Sequence, residues 1–309
     1  MVYAGGLLTR KRVIKVALED EKGSKVAGTI AGFAYDLEID TDAVFEPRKG
    51  TGRYRGHTEA GIIEAKAGVC SFRAEIRGNG TNAMDPFIAA CLQACALKNT
   101  AETYQVHSAI ADDKCLSIDV WEDGVKKGLA GAMGNLLLDG LTGKRLFAIF
   151  NFRGRWEAPI YEALPSQTPG TEIAPLLAGG TFTLGGDSLK TSSFGFDLGN
   201  VIVPRLDKNA ADGIAHFEIT DNDPVVSIDP EADLVANHDF YGKWLAGTEG
   251  ALSLILGTGA GKQITIAAPK VQYRELKGGD REGLKIYDLT GQCNHDSGDD
   301  AFSIAAATA

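Results

Sequence analysis

The chain has 309 residues, 44% of them apolar and 23% charged, enough for one large folded domain or two ordinary ones. The formal net charge of −10 is uneven: residues 1–160 hold 21 Lys and Arg against 20 Asp and Glu, a net of +1, so residues 161–309 carry −11. That acidic half argues against gripping nucleic acid, whose duplex carries about one negative charge per 1.7 Å, and no apolar run approaches the ~20 residues of a membrane-spanning helix.

In chain order, the start, "MVYAGGLLTRKRV", places its basic cluster after a short apolar run, which is not the order of a signal peptide. Strand patterns follow in "RVIKVALED" and "TIAGFAYDLEI". Side chains alternate along a strand, so Asp36, Glu38 and Asp40 share one face, and Tyr35, Leu37 and Ile39 the other. The stretch "EPRKGTGRYRGHTEAG", residues 46–61, then carries Arg48, Lys49, Arg53 and Arg55 among glycines, as a loop between two strand patterns.

A helix is expected in "MDPFIAACLQACAL". Asp85 suits the N-cap and Pro86 the first helical position, and Phe87, Ala90, Cys91, Ala94 and Cys95 form an apolar face. Strands return in "CLSIDVWED" and "RLFAIFNFRG", and four prolines punctuate "APIYEALPSQTPGTEIAPLLAG". Beyond it lie "SFGFDLG", with Asp197 between Phe196 and Leu198, then "AHFEIT" and a second helix, "NHDFYGKWLAG". That helix is expected to present Phe240, Trp244 and Leu245 on one face and to end at Gly247.

The stretch "LILGTGAGKQITI" invites a phosphate-loop reading. A Walker A loop ending in Gly261–Lys262 requires glycine at 256 and Ser or Thr at 263, where the chain has Leu256 and Gln263. A phosphate loop also opens a helix, whereas Ile264 and Ile266 alternate with Gln263 and Thr265 in the period of a strand. The segment reads as a glycine-rich hairpin loop. The alternative is a β-rich enzyme or nucleotide-binding protein using residues 257–262.

The remaining chemistry-bearing residues form no pattern. The five cysteines, Cys70, Cys91, Cys95, Cys115 and Cys293, are odd in number, contain no CxxC pair and read as reduced thiols. His57, His107, His216, His238 and His295 match no triad or metal spacing, and the acidic turns "CNHDSGDD" and "DKNAADG" miss the EF-hand spacing. No catalytic, cofactor or metal site is expected, and the chain is not read as an enzyme.

Motifs do recur. V-x-x-P-R occurs at Val44–Arg48 and Val201–Arg205, with prolines 204 − 47 = 157 residues apart, and the helix phenylalanines lie 240 − 87 = 153 apart. "LSID" at Leu116 and "LSLI" at Leu252 lie 136 apart, and Gly154 and Gly291, each ending a strand phrase, 137 apart. The offset falls once, by 153 − 136 = 17 residues, and "KNTAETYQVHSAIADDK" supplies them as a polar insertion in the first copy. The order of matches predicts a tandem duplication. Each copy is a β-sandwich or open β-barrel with one flanking helix: residues 1–158, a linker at 159–180, and residues 181–309.

The phrases "LLTRKRVI", "SFGFDLGNVIVPR", "HFEITDNDPVVSID" and "GALSLILGTGAGKQITIAAPKVQY" resemble the major tail tube proteins of long-tailed bacteriophages, in a larger form with a doubled tube domain. The resemblance runs over nearly the whole chain and is strongest from Ser193 to Tyr273. It implies self-assembly into stacked rings around a DNA channel in the virion tail, put together in the host cytoplasm. Three doubled chains would form each pseudo-hexameric ring. Other partners implied are the tape measure, tail terminator and distal tail proteins; DNA passes without specific binding, and no membrane is involved. On this reading Asp36, Glu38, Asp40 and Asp197 face the lumen, and the loop carrying Arg48, Lys49, Arg53 and Arg55 touches the neighbouring ring.

Overall fold

Alternating runs punctuated by Gly, Pro, Asn and Asp fold as antiparallel strands, and the two capped segments fold as helices. A computed structural model of the chain describes residues 8–50, 59–210, 212–258 and 262–307. The first half contains β1 (Arg12–Leu18), β2 (Ile30–Gly32), β3 (Tyr35–Glu46), β4 (Ile62–Glu75), α1 (Pro86–Gln93), β5 (Leu97–Thr100), β6 (Thr103–Val106), β7 (Leu116–Glu122), β8 (Val125–Leu141) and β9 (Phe147–Tyr161). The second contains β10 (Thr181–Leu184), β11 (Thr191–Asp197), β12 (Val201–Leu206), β13 (Ile214–Asp221), β14 (Val225–Pro230), α2 (Phe240–Ala246), β15 (Glu249–Leu256), β16 (Gln263–Arg281), β17 (Leu284–Asn294) and β18 (Ser303–Ala307). The protein is mainly β, as its alternation predicts.

One pairing order occurs twice. In the first half β1 pairs with β7, β7 with β8, β8 with β9, β9 with β4 and β4 with β3. In the second half β10 pairs with β15, β15 with β16, β16 with β17, β17 with β14 and β14 with β11. Every pair is antiparallel. The halves meet where β11 joins β8, with Ser193 opposite Leu141 and Asp197 opposite Leu137. The result is one continuous sheet in the order β3–β4–β9–β8–β11–β14–β17–β16. Because β9 runs along one edge of β8, β7 and β11 share the other edge in succession.

Two further joins break the symmetry of the halves. The polar insertion becomes the β5–β6 hairpin, and β6 pairs with β18 of the second half. β11 and β14 stand in the places of β3 and β4, and the counterpart of the outer end of the β3–β4 hairpin is a separate two-stranded ribbon, β12–β13. It folds back over the first half, where Ile214 and Phe217 bury against Ala67, Cys115 and Met133. Most other buried apolar side chains form one cluster drawn from both halves, in which Phe196 and Phe302 stack with ring centroids 3.7 Å apart.

The helices differ in what they bury. The carboxylate of Asp85 accepts the Phe87 amide at 2.9 Å, and Phe87, Ile88, Ala90, Cys91 and Leu92 are all buried. In α2 the Asp239 carboxylate accepts the Gly242 amide at 2.7 Å, and Gly247 ends the helix with φ of 63°, a conformation glycine adopts without a Cβ clash. Only Phe240 of α2 is buried, and Leu245 stands 80% exposed, contrary to the expected apolar face. Helical period puts Leu245 beside Phe240 and Trp244, but whereas Phe240 is buried and Trp244 packs partly buried on the core, nothing among the described residues covers Leu245.

Candidate functional site

The glycine-rich stretch lies between β15 and β16, which pair as a hairpin with Leu256 opposite Ile264. Gly259–Gly261 lie outside the described residues. Gln263 starts a strand, so the stretch does not open a helix, and the Lys262 ammonium pairs with Glu172 at 3.3 Å.

Nucleophilic and acid–base groups are tied up in packing. All five cysteines are buried and unpaired. Burial pushes the Cys115 and Cys293 thiols up to about 12, and raises Cys70, Cys91 and Cys95 further, which keeps them as inert thiols. One arrangement escaped the sequence: His238 lies between Asp187, 2.7 Å from Nδ1, and the Tyr273 hydroxyl, 2.8 Å from Nε2. Its outline is that of a proton relay, but His238 is 1% exposed at its side chain. The adjoining cavity, lined by Leu184, Lys243 and Tyr273, holds about 70 Å³, well below the roughly 300–1,000 Å³ of small-molecule sites. Hydrogen bonds from Lys243 and then His238 hold the Asp187 carboxyl below its usual range, and burial raises the Tyr273 phenol. The network anchors α2 on β16. No spacing rule could find it, because its members come from three separate elements.

A larger cavity of about 500 Å³ lies between the end of β6, β13 and the C-terminal turn, and includes His107, Asp113, Glu218 and His295. Several of its polar groups hold one another, while His107 Nδ1 is buried without a hydrogen-bond partner among the described residues. His107 Nε2 is 3.5 Å from Asp113, the Asp299 carboxylate accepts the Ser108 amide and hydroxyl, and Asp300 accepts the Asp296 and Ser297 amides. Among the described residues, no group of three His, Cys, Asp or Glu side chains is placed to hold a metal ion, and no helix is long and apolar enough to cross a membrane.

The extended feature of the molecule is the face of the eight-strand sheet opposite the main core, part of which, at Ala67, Met133 and Arg153, is covered by the β12–β13 ribbon. In register across it run Glu38, Ser71, Asn151 and Asn135. Asp197 continues this face over the join, accepting from the Asn135 side-chain amide at 2.8 Å. Asp36, Glu38 and Asp40 are exposed here, while Leu37, Ile39, Phe196 and Leu198 are buried behind them. The expected alternation fails at one residue. Tyr35 is only half-buried, because Asp36 takes a positive φ of 49° and the register slips between Tyr35 and Glu38. Asp36 pairs with Arg73 and Asp42 with Arg153, so basic groups interleave with the carboxylates. No cation pairs with Glu38 or Asp40 among the described residues, and Asp40 accepts the Thr41 amide.

Of the loop cations, Arg48 and Lys49 are exposed just beyond β3. Arg53 and Arg55 lie outside the described residues.

The join between the halves is a built site in its own right. Asn200, after β11, donates its side-chain amide to the Cys95 and Gly134 carbonyls, both at 2.9 Å, while its backbone amide donates to Asn135 Oδ1. The Arg153 guanidinium lies 5.8 Å from the Phe217 ring centroid, a cation–π contact that helps seat the β12–β13 ribbon. Comparison of the chain with models of known protein families and with curated proteins gives no match.

Proposed function

We propose that the protein is a structural component of a phage tail, a tube protein that assembles into stacked rings around a channel for DNA. The observation supporting this reading is the repeat of one pairing order, head to tail, in a single sheet with one polar face. A unit that joins its own duplicate through strand edges is suited to joining a further copy in the same way, and such a contact closes into a ring when its rotation divides the circle. With the unit duplicated in each chain, three chains complete a pseudo-sixfold ring. The virion is the place of action, and the tape measure, tail terminator and distal tail proteins are the other partners.

On this proposal the polar face lines the channel. Asp36, Glu38, Asp40 and Asp197 then repel the DNA phosphates over the roughly 8 Å that physiological salt allows. The cations on the same face, Arg73 and Arg153, are each neutralised by a carboxylate, which suits a surface that passes DNA without holding it. The loop with Arg48, Lys49, Arg53 and Arg55 reaches the adjacent ring. Negative-stain electron microscopy of the purified protein tests the reading: uniform rings or hollow polymers are expected, and a monodisperse monomer at every concentration overturns it.

A further inference from the structure

The join between the halves has a counterpart that a single chain leaves open. On β8, the edge opposite β9 serves β7 as far as Ala132 and then β11 over Leu137–Leu141. On β16, the strand in the equivalent place, the edge opposite β17 serves β15 as far as Gln272. Residues 273–281 of that edge have no strand partner among the described residues. At the other end of the sheet, β3 stands in the place of β11. It pairs with β4 along one edge, and its other edge has no strand partner among the described residues.

We infer that these two edges are a complementary pair, β3 of one copy adding antiparallel to residues 273–281 of β16 in the next copy, a surface assignment that rests on the ring reading above. β3 carries Asp36, Glu38, Asp40, Asp42 and Glu46 and no cation, whereas residues 273–281 carry Arg274, Lys277 and Arg281, each paired within the chain with Asp223, Glu275, and Asp229 and Glu231 respectively, so the β16 edge opposes the β3 carboxylates with neutralised pairs rather than with a further row of like charge. Two β3 edges placed together would oppose carboxylate rows, which is destabilising, so a symmetric β3–β3 dimer is disfavoured. The contact is head to tail, the kind that generates rings. It also removes the exposed edges that otherwise template uncontrolled association.

The hairpin tips agree. The β12–β13 ribbon is seated on the first half, where Ile214 and Phe217 are 3% and 1% exposed. The equivalent end of the β3–β4 hairpin leaves Val44, Phe45, Ile62 and Ile63 between 50% and 60% exposed. A neighbouring copy bound at β3 would cover this apolar tip as the first half covers its counterpart.

Disulfide trapping in the full-length chain tests the joint. Cysteine replaces Glu38 or Asp40 in combination with Glu275 or Lys277, all exposed positions. The natural cysteines are all buried and do not compete. Bridging requires Cα atoms about 4.4–6.8 Å apart, so four pairings sample the register. After oxidation, at least one pairing is expected to give a ladder of dimer and trimer ending at the trimer on a non-reducing denaturing gel. The single-cysteine variants are expected to lose it. A second variant, Glu38→Lys with Asp40→Lys, is expected to abolish rings while leaving the thermal midpoint of the monomer unchanged. Rings visible by microscopy with no cross-link in any pairing would overturn the joint and leave the ring reading standing. A wild-type chain that never assembles would overturn both.

Discussion

In the second half of the chain, the hairpin beyond β11 and β14 folds over as β12–β13 and buries Ile214 and Phe217. In the first half, the end of the β3–β4 hairpin leaves Val44, Phe45, Ile62 and Ile63 at half exposure or more. The ribbon lies between β11 and β14 as the outer end of the β3–β4 hairpin lies between the paired stretches of β3 and β4, but it forms a two-stranded sheet of its own. The two hairpins differ in having a neighbour: the second packs on the first half of its own chain, and the first has no such cover among the described residues. At the matched valines of V-x-x-P-R the exposures are alike, 55% at Val44 and 49% at Val201, so the contrast is confined to Ile214 and Phe217, the side of the ribbon that rests on the first half.

The strongest way to break the comparison is to empty the seated side. Phe217→Ala removes a fully buried ring from the small cluster with Ala67, Cys115 and Met133. It is expected to cost about 3–5 kcal/mol, read from chemical denaturation. Phe45→Ala, at the unseated counterpart, is expected to change the isolated chain by less than about 0.5 kcal/mol while weakening assembly. Equal losses at the two sites would mean that the first hairpin is already covered.

Next in size is the clamp. Asn200→Ala strips the partner from the Cys95 and Gly134 carbonyls beside the join. The expected loss is about 1–3 kcal/mol, seen as a lower denaturation midpoint with early proteolysis at the β11–β12 turn. An unchanged midpoint would show that the join holds without it.

A smaller effect follows from pH. Burial, ahead of the cations Lys22 and Arg205, lowers the pKa of His216 in β13, against a smaller opposing pull from Glu218. The unfolded chain therefore takes up this proton before the folded one does. The stabilising contribution is complete above the ordinary histidine value near 6.5, and is lost as pH falls from there toward the folded-state pKa. His216→Asn is expected to flatten the loss of stability just below pH 6.5, measured by thermal melts at stepped pH. A slope unchanged by the substitution would assign it to other groups.

The smallest change expected is at the glycine-rich turn. Lys262 is more than half exposed in its pair with Glu172, and surface pairs contribute little. Lys262→Ala should melt with the wild type, and calorimetry should detect no ATP binding by the wild type. Micromolar ATP affinity lost in the variant would reopen the nucleotide reading.

Local patterns in the sequence were a reliable guide where a local cause sets the structure. The alternation after Leu256 marked a strand where a phosphate loop needs a helix, and Asp85 with Pro86 marked the start of α1. The alternation of Glu38 and Asp40 with Leu37 and Ile39 separated exposed face from core. It failed at Tyr35, where a left-handed Asp36 shifts the register. What stayed hidden depends on distant partners. Nothing local to Asn200 announces that it will bind carbonyls of residues 95 and 134. Nothing in the polar stretch after α1 marks β6 as a partner of β18. The exposure of Leu245 has the same origin: period assigns it a side of α2, but only tertiary context decides whether that side is covered.

The central claim is that the seam within one chain is repeated between chains, with three chains to a ring. Native mass spectrometry of the assembled protein, which counts chains per particle, tests it most directly. The account predicts rings of three chains and stacks in multiples of three. Rings of six chains would contradict it.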